Sequence, residues 1–146
     1  MVARAQKGLR LVVVAARYNP DLVDGLLRHT LGVLRQAGLR DVEAIRVPGS
    51  YEIPAVAMRL ARSRKYHAII ALGVVLQGRT AHADHIATAC AIHLQQIALE
   101  TGVPVIHQVL SPRNRRDARV RLRLRGEEAA HSAIAMAELM RTLKFR

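Results

Sequence analysis

Short apolar runs alternate along this chain with longer segments whose apolar residues recur at helical spacing. Such runs are typical of strands buried on both faces, which occur in parallel sheets covered by helices. The strands are predicted at residues 9–16, 42–47, 68–76 and 103–110. Because a helical pattern follows each strand, we expect one domain over residues 1–146: a three-layer α/β/α sandwich around a four-stranded parallel sheet.

Start and stop signals set the bounds of the first helix. Asn19 is a candidate N-cap, Pro20 suits the first helical position, and Gly38 supplies a stop. The remaining helices are predicted at residues 54–64, 82–101 and 127–143.

The sequence of residues 113–125 allows two interpretations. Arginines alternate there with Val120, Leu122 and Leu124, a period of two that favours extended chain. Arg115, Arg116 and Arg119 would equally share one side of a helix.

Composition bears on where the protein is located in the cell and on the partners it can bind. The longest apolar run, at 68–76, falls far short of the roughly 20 residues that span a bilayer, so no membrane is expected. Cys90 is the only cysteine, which excludes an intrachain disulfide and favours a cytoplasmic protein. The formal net charge of +12 attracts anions, whether phosphorylated metabolites or nucleic acid, although an arginine-favouring genome would give the same composition. Few aromatic residues disfavour nucleic-acid binding by stacking.

Ligands of open parallel sheets collect at the carboxyl ends of the strands. That rule selects the loops at residues 17–19, 48–52 and 77–82, and the region after Leu110. Gly78 and the following residues precede a predicted helix, whose N-terminus favours a phosphate. His82 would lie beside that phosphate, and imidazole suits proton transfer near neutral pH.

Plainer interpretations exist for these residues. Tyr18 would also serve as packing, Glu52 as a complement to a helix dipole, and Cys90 as a core filler. His82 and His85 are spaced like a metal pair, but they lack a clear third ligand, so no metal is expected.

Four motifs in order resemble the lumazine synthase family, and the likeness covers nearly the whole chain. In chain order they are RYN at 17–19, VPGSYEIP at 47–54, ALGVVLQGRTAHAD at 71–84 and LETGVPVI at 99–106. The resemblance implies an enzyme of riboflavin biosynthesis that needs no metal or organic cofactor. It would condense 5-amino-6-(D-ribitylamino)uracil with 3,4-dihydroxy-2-butanone 4-phosphate to give 6,7-dimethyl-8-ribityllumazine, phosphate and water.

The resemblance also implies residue roles. Tyr18 would stack on the pyrimidine, and His82 would carry protons. The ribityl chain and uracil edge would be held by Ser50, Tyr51 and Glu52, and the ring pocket would be lined by Val74, Val75 and Leu76. Arg79 and Thr80 would meet the phosphate. The family builds each site between neighbours in a homopentamer, so His107 and Arg121 would come from the adjacent subunit. Riboflavin synthase is a candidate partner.

Three departures from the family pattern bear on these roles. His107 stands where phenylalanine is usual, and Gln77 replaces a common arginine. The usual RAGTKxGNKG stretch is absent, so Arg119 or Arg123 would serve as well as Arg121 as the neighbouring subunit's phosphate-binding arginine. The sequence EEAAH at 127–131 resembles the family's second type.

These departures leave alternatives open. One is a weakly active or inactive assembly whose shell binds flavin, phosphate or nucleic acid. Another is an FMN carrier, since the layer order is flavodoxin-like, but the chain lacks the acidic surface and stacking aromatics expected of one. The sequence leaves open whether pentamers stay single, pair into decamers or close into an icosahedral capsid.

Overall fold

A computed structural model describes residues 2–143 and confirms the predicted architecture. The four strands are β1 (Leu11–Ala16), β2 (Glu43–Val47), β3 (Ala68–Val74) and β4 (Val105–Leu110). The helices are α1 (Pro20–Gln36), α2 (Ile53–Arg62), α3 (His82–Thr101) and α4 (Arg115–Thr142), and a short 3-10 turn, Ser50–Glu52, precedes α2. The strands form one parallel sheet in the order β2-β1-β3-β4. This is the predicted flavodoxin-like, three-layer α/β/α arrangement.

Alternate residues of the central strands face opposite helical layers. Val13 and Ile70 point toward a core shared with α1 and α4, whereas Val14 and Ile69 point toward a core shared with α2 and α3. Both sets are fully buried, as the continuous apolar runs predict for strands covered on both faces. Within residues 2–143, no helix is long and apolar enough to cross a membrane.

Helix α4 settles the segment that the sequence left open. The helix begins at Arg115 rather than at residue 127, so the extended alternative is wrong. Asn114 caps it, because its side-chain oxygen accepts a hydrogen bond from the Asp117 N–H at 2.9 Å. Ala118 and Gly126 are buried on the same side of the helix. A helical contact with α1 therefore outweighs the local alternation of arginine and aliphatic residues.

Glycines allow α1 and α4 to approach closely. A Cβ on Gly126 would lie 2.8 Å from the Leu26 carbonyl oxygen of α1. The buried Thr30 hydroxyl oxygen lies 2.8 Å from the Leu26 carbonyl oxygen and 3.1 Å from the Gly126 carbonyl oxygen, so its one proton is shared between these two acceptors. This contact fixes α4 along α1 and carries the start of α4 to the carboxyl edge of the sheet.

Asn19 is the N-cap residue of α1, as predicted, but its side chain does not cap the helix. Asn19 has left-handed backbone angles, φ 58° and ψ 57°, and its side chain makes no capping bond. Its amide instead donates to the Val74 carbonyl at 2.8 Å, where it joins the start of α1 to the end of β3. Pro20 occupies the first turn as expected.

Candidate active site

The loops that follow β1, β2 and β3 enclose a cleft of about 690 Å³ at the carboxyl edge of the sheet. It is lined by Tyr18, Asn19, Gly49, Ser50, Tyr51, Glu52, Val74, Val75, Leu76, His82, His85 and Ile86. Of the twelve site residues predicted from the sequence, eight line this one cleft. The cleft lies where the topology of a parallel sheet places ligand sites.

Two tyrosines present most of their surface at the cleft. Tyr18 is 73% exposed and Tyr51 is 66% exposed, so neither serves as core packing. The Tyr18 N–H donates to the Pro48 carbonyl at 3.1 Å, which holds the first loop against the second. Exposed aromatic rings on a fixed backbone can stack on a flat ligand.

The Ser50 turn forms the buried side of the cleft. Ser50 is 6% exposed, and a Cβ at the neighbouring Gly73 would lie 2.2 Å from its hydroxyl oxygen. A side chain at position 73 would therefore force the Ser50 hydroxyl to move, and glycine in β3 lets the turn pack this closely. The Glu52 carboxylate accepts a hydrogen bond from the Gly49 N–H at 2.9 Å, which closes the turn.

Cys90 supports the same turn from below. It is fully buried on α3, and its thiol donates to the Ser50 carbonyl at 3.3 Å. Burial, assisted by the negative charge of Glu52, raises the pKa of the Cys90 thiol to about 11. The thiol stays protonated near neutral pH, so it serves as a core filler and hydrogen-bond donor rather than a nucleophile.

Helix α3 begins at the cleft and brings two histidines to it. His82 is the first residue of the helix, and its N–H donates to the Thr80 hydroxyl oxygen at 3.3 Å. His85, which lies about one turn later, also lines the cleft. The sequence pattern indicates His85 only as a candidate metal ligand, although its spacing from His82 places both histidines on one helix face.

Four of the predicted residues do not line this cleft. Arg79 and Thr80 lie in the exposed loop that leads into α3. His107 is exposed on β4, an edge strand, although the surrounding protein still lowers its pKa through desolvation. Arg121 is exposed on α4, away from the lining residues. Within one chain, His107 and Arg121 therefore stay outside the cleft, whereas the Thr80 side chain contacts the His82 backbone beside it.

No group of three or more histidine, cysteine, aspartate or glutamate side chains with the arrangement of a metal site occurs among residues 2–143. His82 and His85 thus have no third ligand in the part of the chain that the structure describes. Their shared place on the cleft is better suited to proton transfer with an organic substrate.

Fold and cleft together are those of an α/β protein with a small-molecule site at the carboxyl edge of a parallel sheet. The sequence profile of the 6,7-dimethyl-8-ribityllumazine synthase family matches residues 8–141, and the chain belongs to this family of transferases. The enzyme of that name from Thermococcus gammatolerans is 40% identical over 94% of this chain and 92% of its own length. The Kineococcus radiotolerans enzyme is 40% identical over 93% of this chain and 84% of its own length. The Xanthomonas campestris pv. campestris enzyme is 38% identical over 92% of this chain and 91% of its own length.

Proposed function

We propose that this protein makes 6,7-dimethyl-8-ribityllumazine in riboflavin biosynthesis. Its substrates would be 5-amino-6-(D-ribitylamino)uracil and 3,4-dihydroxy-2-butanone 4-phosphate, with phosphate and water as the other products. The observation that carries the proposal is one cleft lined by an exposed tyrosine, a carboxylate and a histidine, Tyr18, Glu52 and His82, in a chain of this family.

The proposed chemistry needs positioning and proton transfer, and no metal or organic cofactor. The uracil amine attacks the ketone and water leaves as the imine forms. Phosphate is then eliminated, which leaves a carbonyl on the butanone carbons. The ribityl-bearing nitrogen attacks that carbonyl, and a second water leaves as the ring closes. Holding both substrates in register supplies much of the acceleration, and His82 moves protons at the reacting atoms.

Each part of the cleft suits one part of the substrates. Tyr18 stacks on the pyrimidine, while Ser50, Tyr51 and Glu52 hold the ribityl chain and the uracil edge. The half-buried residues Val75 and Leu76, with Val74, form the apolar wall beside the ring. Arg79 and Thr80 hold the phosphate at the start of α3, where backbone N–H groups and the helix dipole favour an anion.

We further propose a homopentamer in which neighbouring subunits share each site, within a cytoplasmic assembly. Two observations support this assembly. His107 and Arg121 lie outside the cleft of their own chain, so a neighbour would have to supply them. Large apolar side chains also remain exposed on α3, where Ile92 is 58% and Leu99 is 76% exposed.

The second candidate, an inactive shell that binds flavin, phosphate or nucleic acid, is not favoured. His82, Thr80, Glu52 and Tyr18 are all present, and the relatives carry the name of the synthase. Within one chain, the His107 difference leaves the arrangement of Tyr18, Glu52 and His82 in the cleft intact.

The catalytic role of His82 is tested by comparing His82→Ala with His93→Ala. Both histidines are exposed on α3, but His93 does not line the cleft. We expect His82→Ala to slow turnover by roughly 10- to 10⁴-fold without lowering the unfolding midpoint, because it removes a proton carrier and no core volume. His93→Ala should turn over like the wild type. Equal rates for the two variants would contradict the role, whereas absence of wild-type turnover above background would contradict the function.

The shared site is tested by mixing two impaired variants. His82→Ala and Arg121→Ala subunits would be denatured together, refolded and assayed. If neighbours supply the two residues to one site, some mixed sites contain both native side chains and activity rises above that of either variant alone. An unchanged mixture would contradict the sharing of His82 and Arg121.

A further inference from the structure

The turn that carries Tyr18 is held by a polar network that no catalytic role explains. Asn19 adopts a left-handed backbone, which costs a non-glycine residue free energy and persists where the surroundings fix it. Both polar groups of its side-chain amide form hydrogen bonds. The amide donates to the Val74 carbonyl at 2.8 Å, and the Oδ1 atom accepts from the Arg115 guanidinium at 3.4 Å.

Arg115 is in turn held by Asp21. Both carboxylate oxygens of Asp21 accept hydrogen bonds from the Arg115 guanidinium, and Arg119 lies 3.7 Å from the same carboxylate. The hydrogen bond from Arg115 lowers the pKa of Asp21, and that pairing raises the pKa of Arg115. The planar guanidinium presents several N–H groups in fixed directions, so a single arginine can join the carboxylate and the amide oxygen.

The network connects three elements at the edge of the cleft. Asp21 lies in the first turn of α1, Arg115 is the first residue of α4, and Val74 is the last residue of β3. Tyr18, which precedes Asn19 in the chain, and Val75, which follows Val74, both line the cleft. We propose that Arg115 is a positioning residue of the proposed reaction: through Asn19 it sets the spacing between the Tyr18 ring and the apolar wall, and so the fit of the pyrimidine substrate.

This role predicts selectivity between the two substrates. The distance from Tyr18 to Val74 and Val75 governs the slot for a flat ring, whereas the phosphate is proposed to lie at the start of α3. Arg115→Gln should therefore raise KM for the ribitylaminouracil and leave KM for the butanone phosphate unchanged. The Arg115 and Asp21 side chains are 43% and 50% exposed, so water and salt screen the pair and the expected rise is about two- to fivefold.

Arg116→Gln is the matched control. Arg116 is the next residue of the same helical turn, is exposed, and forms no ion pair among the described residues. It loses the same charge without touching the network. Arg115→Lys keeps the charge but loses the guanidinium fork, so it should also raise KM for the ribitylaminouracil, and it replaces Arg115→Gln if that variant does not fold.

A double-mutant cycle separates positioning from general stabilisation. Asn19→Gly tolerates the left-handed backbone but removes both side-chain hydrogen bonds, and it should raise KM for the ribitylaminouracil by roughly 5- to 20-fold. If Arg115 acts through Asn19, adding Arg115→Gln to Asn19→Gly should change that KM no further. A brace that serves only stability would instead lower the unfolding midpoint with no selective change in KM for the ribitylaminouracil.

The decisive experiment measures KM for each substrate in the wild type and these variants, with calorimetric titration of a stable ribityl-bearing pyrimidine analogue. The inference rests on the proposed function, which wild-type turnover tests separately; the analogue titration reports the Arg115 effect whether or not turnover is seen. We expect Arg115→Gln to lose affinity for the pyrimidine selectively and Arg116→Gln to keep it. Adding Arg115→Gln to Asn19→Gly should cause no further loss. Three results would overturn the inference: unchanged pyrimidine affinity, a selective loss for the butanone phosphate, or additivity in the cycle.

Discussion

Gly126 and Gly32 are both interior glycines of long helices, yet their replacement by alanine should change stability in opposite directions. Alanine in place of glycine favours a helix by roughly 0.5–1 kcal/mol. A Cβ at Gly32 meets no atom within 4 Å, so Gly32→Ala should raise the free energy of unfolding by about that amount. A Cβ at Gly126 would lie 2.8 Å from the Leu26 carbonyl oxygen and 3.3 Å from the Thr30 backbone nitrogen.

Backbone atoms cannot rotate away, so Gly126→Ala must separate α1 from α4. Forcing an extra methyl group into a packed core costs about 1–3 kcal/mol. The shift would also strain the 3.1 Å bond from the Thr30 hydroxyl to the Gly126 carbonyl, which adds about 1 kcal/mol. After the gain in helix propensity, the net loss is about 1–3 kcal/mol. Gly25→Ala should fall between the two variants, because its Cβ would meet only the mobile end of Leu122, at 2.7 Å.

Urea unfolding at one fixed protein concentration measures these differences, provided that the slope of the transition stays constant. The expected order of stability is Gly32→Ala, wild type, Gly25→Ala, Gly126→Ala. If Gly126→Ala were as stable as Gly32→Ala, the close crossing of α1 and α4 would be wrong, and so would the path of α4 toward the cleft.

Three further predictions concern single side chains. Cys90 should resist alkylation by iodoacetamide at mildly alkaline pH in the folded protein and react after unfolding in urea, since it is fully buried with a pKa of about 11; modification at the rate of a free thiol would contradict its placement. The lowered pKa of Asp21 means that its pairing with Arg115 stabilises the fold at pH values above the ordinary aspartate range, and that this stability is lost as pH falls through the lowered pKa. Asp21→Asn should therefore reduce the urea midpoint at neutral pH and reduce it less as the solution is acidified below that range; a reduction that did not shrink on acidification would refute this sign. Arg121→Ala should raise KM for the butanone phosphate more than KM for the ribitylaminouracil, and equal changes would move the phosphate site to another arginine.

Sequence patterns predicted the elements whose burial is uniform. The strands β1 and β3 are covered on both faces, so their apolar runs carry a clear signal, and the ends differ from the prediction by only a few residues. The loops at the carboxyl edge were also placed correctly, because a parallel sheet fixes which loops meet.

Tertiary contacts decided what the patterns could not. The start of α4 depends on its packing against α1 at Gly126, which lies far along the chain from Leu26 and cannot be read from local periodicity. The same holds for Asn19, whose residue type fits an N-cap but whose amide is drawn to the Val74 carbonyl. Residues expected from a neighbouring subunit, His107 and Arg121, are likewise not joined to the cleft by one chain.

The central claim is the synthesis of the lumazine, and product formation tests it most directly. Purified wild-type protein would be mixed with the ribitylaminouracil and the butanone phosphate, and the appearance of 6,7-dimethyl-8-ribityllumazine would be followed against the uncatalysed background. We predict a rate that is proportional to protein concentration and is suppressed by a stable ribityl-bearing analogue. A rate equal to the background, from folded protein that still binds the analogue, would contradict the proposed activity.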